Sequence, residues 1–343
     1  MRRPKNLGRR KPMIKICFKL LAIILGFMVG VGLAQGVDVR EDQSVDLEVP
    51  VDLVLVPVTV EDKGGKLIHS LQKNDFEVSE DGIVQNLTYF SVEPSPLSIA
   101  FLLDRTIDDR AQESFRQNMR ALVEAFSGFD EMAFYEFLAV AKKLQDFTFE
   151  KDKLVKTISK VDFVPVVLPG LSKLMPVVND SDLDNAIMTA AYDLQRRARN
   201  RRKVIFVVSN GVVSFSERHD QPETKKFLLE KGIVVYGIGQ GNSFLFRKVD
   251  PIKKYAGPTG GEVFYPWKSR AFAETYQRIS VAARNQYILG YTPQNKAQEE
   301  TYRRISVRVT NNLHIVGRIR HRAGYYALPR HLHYPNDQVS KDD

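Results

Sequence analysis

Cysteine is all but missing from this chain: the only one among 343 residues is Cys17. Beyond the leader that holds it, disulfides, thiolate zinc sites and a cysteine nucleophile are excluded, so stability has to come from core packing. Acidic residues are absent before Gln35, while Arg2, Arg3, Lys5, Arg9, Arg10, Lys11, Lys15 and Lys19 supply eight of the nine units of formal net charge. The basic balance is therefore local to the leader, and the near-neutral remainder offers no footprint for nucleic acid. GxSxG, GxxxxGK[ST] and HExxH patterns are also missing, which removes the usual marks of a serine hydrolase, a phosphate-loop NTPase and a zinc protease. Histidine is scarce. Only His331 and His333 lie close together, in a polar tail (329–343) that is expected to be disordered and to hold no metal.

What is present begins with residues 1–34, read as a signal peptide or N-terminal anchor. A basic stretch precedes fifteen uncharged residues, 20–34, ending in Gly32-Leu33-Ala34 with small residues where a signal peptidase needs them. That run falls short of the roughly 20 residues that span a bilayer. Export with cleavage, to the periplasm or the extracellular space, is the expectation. Membrane contact would then arise only through an uncleaved leader.

Residues 45–93 read as an N-terminal β segment. Val45, Leu47, Val49, Val51, Leu53 and Leu55 alternate with Asp46, Glu48, Pro50 and Asp52, which is strand periodicity with the leucines on the apolar face. Turn signals at Lys63-Gly64-Gly65-Lys66 and Glu80-Asp81-Gly82 separate further short strands, and Pro94-Ser95-Pro96 is a joint. From 97 to 284 the pattern alternates between strand and helix. Leu97–Leu103, Lys203–Ser209 and Ile233–Ile238 are uncharged or nearly so, as strands buried on both faces require. Helical stripes run through Phe115, Met119, Leu122 and Phe126, through Leu183, Ile187, Ala190 and Leu194, and through Phe272, Tyr276, Ile279 and Ala283. The fold class is α/β, a doubly wound parallel sheet. Residues 285–328 return to β periodicity and are expected to pack with 45–93 as a small antiparallel unit flanking the sheet domain.

Oxygen-bearing corners punctuate this pattern: Asp104-x-Thr106-x-Asp108, Ser181 and Asn210. Two follow strand ends and one starts a helix, so a doubly wound sheet can bring them to one crevice. Here the chain resembles the von Willebrand factor A domains, whose metal-ion-dependent adhesion site has a DxSxS motif, a Thr before a later helix and an Asp ending the fourth strand. The phrases DFEVSEDG, YILGYTP and GYYA are similar to the VWFA-related acidobacterial domain family in particular. The resemblance spans about Val45 to Leu328. It implies that Asp104 stands for the first Asp, Thr106 for the first Ser, Asp108 for the second Ser, Ser181 for the Thr and Asn210 for the second Asp. Such a degenerate site offers hard oxygen ligands suited to magnesium or manganese. Capping alone explains the same residues, with Asp108 or Asp109 starting one helix, Asp180 or Ser181 the next, and Asn210-Gly211 a turn. Arg105 is a competitor: folded into the crevice, its guanidinium would pair with Asp104 or Asp108 in the cation's place.

Three further stretches need a reading. The loop 161–178, broken by Pro165, Pro169 and Pro176, exposes Leu168 and Leu171 to a protein partner or packs them over the sheet edge. Gly237-x-Gly239-x-Gly241 lacks the third glycine of a dinucleotide fingerprint and reads as a turn after the fifth strand. Arg196 to Lys203 reads as a charged surface corner. The function expected from all of this is an exported, non-catalytic protein-interaction module with a degenerate adhesion site and a protein partner. The alternatives are a metal-dependent hydrolase using Asp104 and Asp108, or a structural envelope protein with a vestigial site.

Overall fold

A computed structural model of the chain describes residues 53–107, 109–163, 182–211, 222–240, 247–266, 268–296, 301–311 and 314–327. Asp108, Ser181, Leu168, Leu171, Gly241, the leader and the tail lie outside them.

Strands β1 (Val54–Asp62), β2 (Phe76–Glu80), β3 (Ile83–Gln85) and β4 (Leu87–Ser91) precede an α/β body. That body runs β5 (Leu97–Asp104), α1 (Asp109–Glu124), β6 (Glu131–Phe137), β7 (Ala141–Thr148), α2 (Lys151–Ile158), α3 (Leu183–Gln195), β8 (Arg202–Ser209), α4 (Pro222–Glu230), β9 (Ile233–Gly239), α5 (Lys253–Thr259), β10 (Val263–Phe264) and α6 (Ser269–Arg284). Four strands follow: β11 (Tyr287–Tyr291), β12 (Thr301–Val309), β13 (Val316–His321) and β14 (Gly324–Ala327).

The central sheet has the order β10-β9-β8-β5-β6-β7, parallel except for the edge strand β7. Every residue of β5 is buried. Successive side chains point to opposite faces, so Ile99, Phe101 and Leu103 meet Phe115 of α1 and Tyr276 of α6. Ala100 and Leu102 meet Leu183, Ile187 and Leu194 of α3 on the other side. Helices on both faces are why the strand carries no charge until Asp104. The doubly wound expectation holds.

Two antiparallel sheets combine strands from both ends of the chain, in the orders β13-β1-β11-β4 and β14-β12-β2-β3. Val56, Val58, Phe76, Val78, Leu289, Ile305 and Val307 share the core between them. The β2–β3 turn uses Asp81 at φ 49° and Gly82 at φ 85°, the positive pair that matches the twist of a two-stranded hairpin. One expectation is reversed in β1: the even residues Val54, Val56, Val58 and Val60 face the core, while Leu53 and Leu55 are exposed. Leu53 and Leu55 continue the apolar parity of 45–51, while Val54, Val56, Val58 and Val60 begin a second apolar stripe on the other parity, and the core takes the second.

Two other readings change. Gly237 and Gly239 lie inside β9, not in a turn. A Cβ on Gly237 would meet Ile252 at 2.6 Å, and one on Gly239 would meet Tyr265 at 2.4 Å, so they are glycines for close packing. Within Arg196–Lys203, Arg197 and Arg201 turn inward to Glu131, and Arg202 donates to the carbonyls of Ala283 and Arg284 at 3.0 and 2.7 Å. Much of that corner is a clamp at the amino ends of β5, β6 and β8. Helix α5 has no counterpart in the sequence reading, because Gly257 and Pro258 disguise it. Just beyond it, a Cβ on Gly261 would stand 1.9 Å from the Val235 carbonyl oxygen. Gly261→Ala is therefore expected to cost about 1–3 kcal/mol, read as a lowered urea midpoint with unchanged slope.

Candidate functional site

Asp104 ends β5 and Ser209 ends β8, the two central strands of the sheet. The helices that follow these strands go to opposite faces, α1 after β5 to one and α4 after β8 to the other, which makes it the topological switch point where open α/β sheets form their crevice. Asp104 is fully buried, and Thr106, Ser209 and Asn210 nearly so. Thr106 donates to Asp104 Oδ1 twice, through its backbone N–H at 2.8 Å and its hydroxyl at 2.7 Å. Ser209 Oγ donates to Asp104 Oδ2 at 2.7 Å. Asn210 Nδ2 donates to the Thr106 carbonyl at 2.7 Å and reaches Thr106 Oγ1 at 3.3 Å. The carbonyl fixes the amide's orientation, since turning it over would set two oxygens against each other. Burial pushes the Asp104 carboxyl above its ordinary range, and the hydrogen bonds from Ser209 and Thr106 only partly oppose this.

Of the five expected ligands the described residues thus bring together Asp104, Thr106 and Asn210, and Ser209 joins them. Ser209 is not among the expected ligands; its signal in the sequence is a hydroxyl at the end of an otherwise apolar strand. Arg105 does not enter the crevice. Its Nε donates to the Asp162 carbonyl at 2.7 Å and lies 3.7 Å from Glu136. The cap of α3 is Asp182, which accepts from the Asn185 N–H at 2.8 Å, in place of the expected Asp180 or Ser181. Asp184, next in that acidic run, accepts from the Tyr255 hydroxyl at 2.8 Å.

A divalent cation needs oxygen lone pairs that converge on one open position. Two of the five expected ligands, Asp108 and Ser181, lie outside the described residues, and the oxygens of the three described ones face one another. Asp104 receives donors on both oxygens, and Thr106 spends its proton on Asp104. Its remaining lone pairs face the Asn210 amide, a donor where a cation would want an acceptor. Among the described residues no group of three or more Asp, Glu, His or Cys is placed to hold a metal ion. The corner ties the loop after β5 to the loop after β8.

Five parallel strands with one antiparallel edge and helices on both faces define a doubly wound α/β fold, with a hydroxyl-carboxylate knot at its switch point. No family model matches the chain, and no curated protein matches it in sequence. Among solved structures it is similar to the conserved hypothetical protein BatB from Bacteroides thetaiotaomicron, at 15% identity over 55% of this chain and 98% of that one, with a TM-score of 0.41. An aerotolerance-related membrane protein from Bacteroides fragilis is similar at 14% identity over 54% and 98%, TM-score 0.40. A von Willebrand factor type A protein from Catenulispora acidiphila is similar at 8% identity over 75% and 74%, TM-score 0.42.

Proposed function

We propose that the chain is an exported, non-catalytic protein-interaction module whose partner docks at the carboxyl edge of the sheet, with no cation at the Asp104 corner. The closed hydrogen-bond network of Asp104, Thr106, Ser209 and Asn210 carries this reading. Such a network has no solvent-facing acid, base or nucleophile to offer a substrate, yet it rigidifies the base of the loops a partner would contact. Leu168 and Leu171, in the apolar stretch that precedes α3 in the sequence, are proposed contact residues. The leader is the reason for placing the protein in the cell envelope or outside it.

Calorimetric titration with magnesium and with manganese, on the wild-type chain and on Asp104→Ala, tests the reading. Neither protein is expected to give saturable heat. Wild-type binding that disappears in Asp104→Ala would overturn it in favour of a working adhesion site.

A further inference from the structure

At the amino edge of the central sheet, the end opposite the Asp104 corner, the joint into β5, the turn before β6, the residue after β7, the segment before β8 and the end of α6 enclose a cleft of about 620 Å³. Pro94, Pro96, Phe129 and Phe149 give it apolar walls, and the two rings are 79% and 53% exposed. Its charged lining groups among the described residues are Arg201 and Arg284. Both guanidinium groups are mostly buried, with their side chains 14% and 20% exposed, and each is anchored from behind. Arg201 donates Nε to Ser98 Oγ at 3.2 Å and Nη2 to the carbonyls of Leu97 and Phe129 at 2.7 and 2.5 Å. Arg284 donates Nη2 to Asp130. Nη1 of Arg201, and Nε and Nη1 of Arg284, are left with no acceptor among the described residues.

The local charge does not balance either. Arg197, Arg201 and Arg284 meet two buried carboxylates here, Glu131 and Asp130. Arg202 is spent on the carbonyls at the end of α6. The exposed Glu93 and Glu150 are chain neighbours of Pro94 and Phe149 but do not line the cleft. A guanidinium drawn out of water with donors unspent asks for an anion, and a planar carboxylate matches its fork. We propose that this cleft binds a small organic acid, its carboxylate on Arg201 and Arg284 and its apolar body against Phe129 and Phe149. Size decides against a macromolecule: the volume falls within the range of small-ligand pockets. Eight lining residues are also far fewer than the roughly 20–30 a side of a protein interface. An inorganic anion would satisfy the arginines but leave the aromatic walls in water. The site stands apart from the carboxyl-edge reading above and does not depend on it.

Phenylacetate, followed by ligand-observed NMR on the purified full chain, is the probe. It is expected to saturate with a dissociation constant of about 1 mM, as suits a ligand of its size. Phenylacetamide has the same shape without the charge and is expected to bind about tenfold more weakly. Phe129→Ala, at a position too exposed to matter to the core, is expected to weaken phenylacetate about fivefold. A readout that needs no ligand comes from Gly128, which lines the cleft and where a Cβ would meet nothing within 4 Å. Gly128→Glu supplies a carboxylate from the chain itself. It is expected to abolish phenylacetate binding and to melt about 2–4 °C above Gly128→Gln, which fills the same space without the charge. Absence of a saturable phenylacetate signal in the wild type would overturn the proposal. So would an amide that binds as tightly as the acid, a Phe129→Ala variant of unchanged affinity, or glutamate and glutamine variants that melt together.

Discussion

Glu61→Ala is expected to destabilise the protein by about 3–5 kcal/mol, the cost of leaving a buried charge without its partner. Glu61 sits on β1 with its carboxylate almost fully buried. Arg320 of β13 grips it with both terminal nitrogens, at 2.9 and 2.8 Å, and Arg278 of α6 adds a third bond at 2.9 Å. The carboxylate thus joins the antiparallel unit to the α/β body. In the variant Arg320 keeps Glu262 at 2.8 Å, which sets the loss toward the lower end of that range. The pH dependence identifies the mechanism. Burial alone would raise the Glu61 pKa, but the hydrogen bonds and charges of Arg320 and Arg278 outweigh it, and the net direction is downward from 4.5. A carboxyl held lower in the folded than in the unfolded state stabilises at pH values above its unfolded pKa. That stabilisation is lost as pH falls through the folded value. Urea midpoints for wild type and variant should therefore differ fully at pH 7 and converge as the pH is taken below 4.5. Parallel curves would mean that the loss is one of packing. Glu131, held down in the same direction by Arg197 and Arg201 against its own burial, adds to the acid sensitivity of both proteins equally.

Legibility in the sequence followed how far each residue's environment is set locally. β5 was plain because a run buried on both faces leaves no other composition. α1, α3 and α6 were plain because their stripes repeat at helical spacing. β1 was recognised as a strand but faced wrongly, since the apolar parity of 45–55 gives way to an all-valine stripe on the other parity from Val54 to Val60, and the second sheet packs on the latter. α5 was hidden by Gly257 and Pro258, which a helix tolerates here at its last turn. The inward turn of Arg197, Arg201 and Arg202 was invisible for a different reason: their acceptors are Glu131, 66 residues away from Arg197, and carbonyls more than 80 residues from Arg202. At the candidate site, Asp104, Thr106 and Asn210 could be named from strand ends alone. Whether their oxygens face a vacancy or one another depends on the register of β5 against β8, which no local pattern encodes.

Asp104 is where that distinction has the largest measurable consequence. Asp104→Ala removes the acceptor for the Thr106 N–H, the Thr106 hydroxyl and the Ser209 hydroxyl in a place closed to solvent. At about 1–3 kcal/mol for each buried donor left unsatisfied, and with relief of a buried charge as partial offset, a net loss of about 3 kcal/mol or more is expected. Asp104→Asn should be far milder, about 1 kcal/mol or less. Its carbonyl keeps the two Thr106 donors, and its amide faces Ser209, whose hydroxyl can accept as readily as it donates. The pH signature runs opposite to that of Glu61. Burial raises the folded pKa of Asp104, so the folded state binds the proton more tightly, and the wild type gains stability as pH falls through that raised value. The asparagine, which has no proton to take up, misses that gain. Measured against wild type, it should therefore look best at alkaline pH and worst in acid. An asparagine variant as damaged as the alanine at every pH would mean that both oxygens of Asp104 need full negative charge. That is the demand of a bound cation and not of the hydroxyl knot.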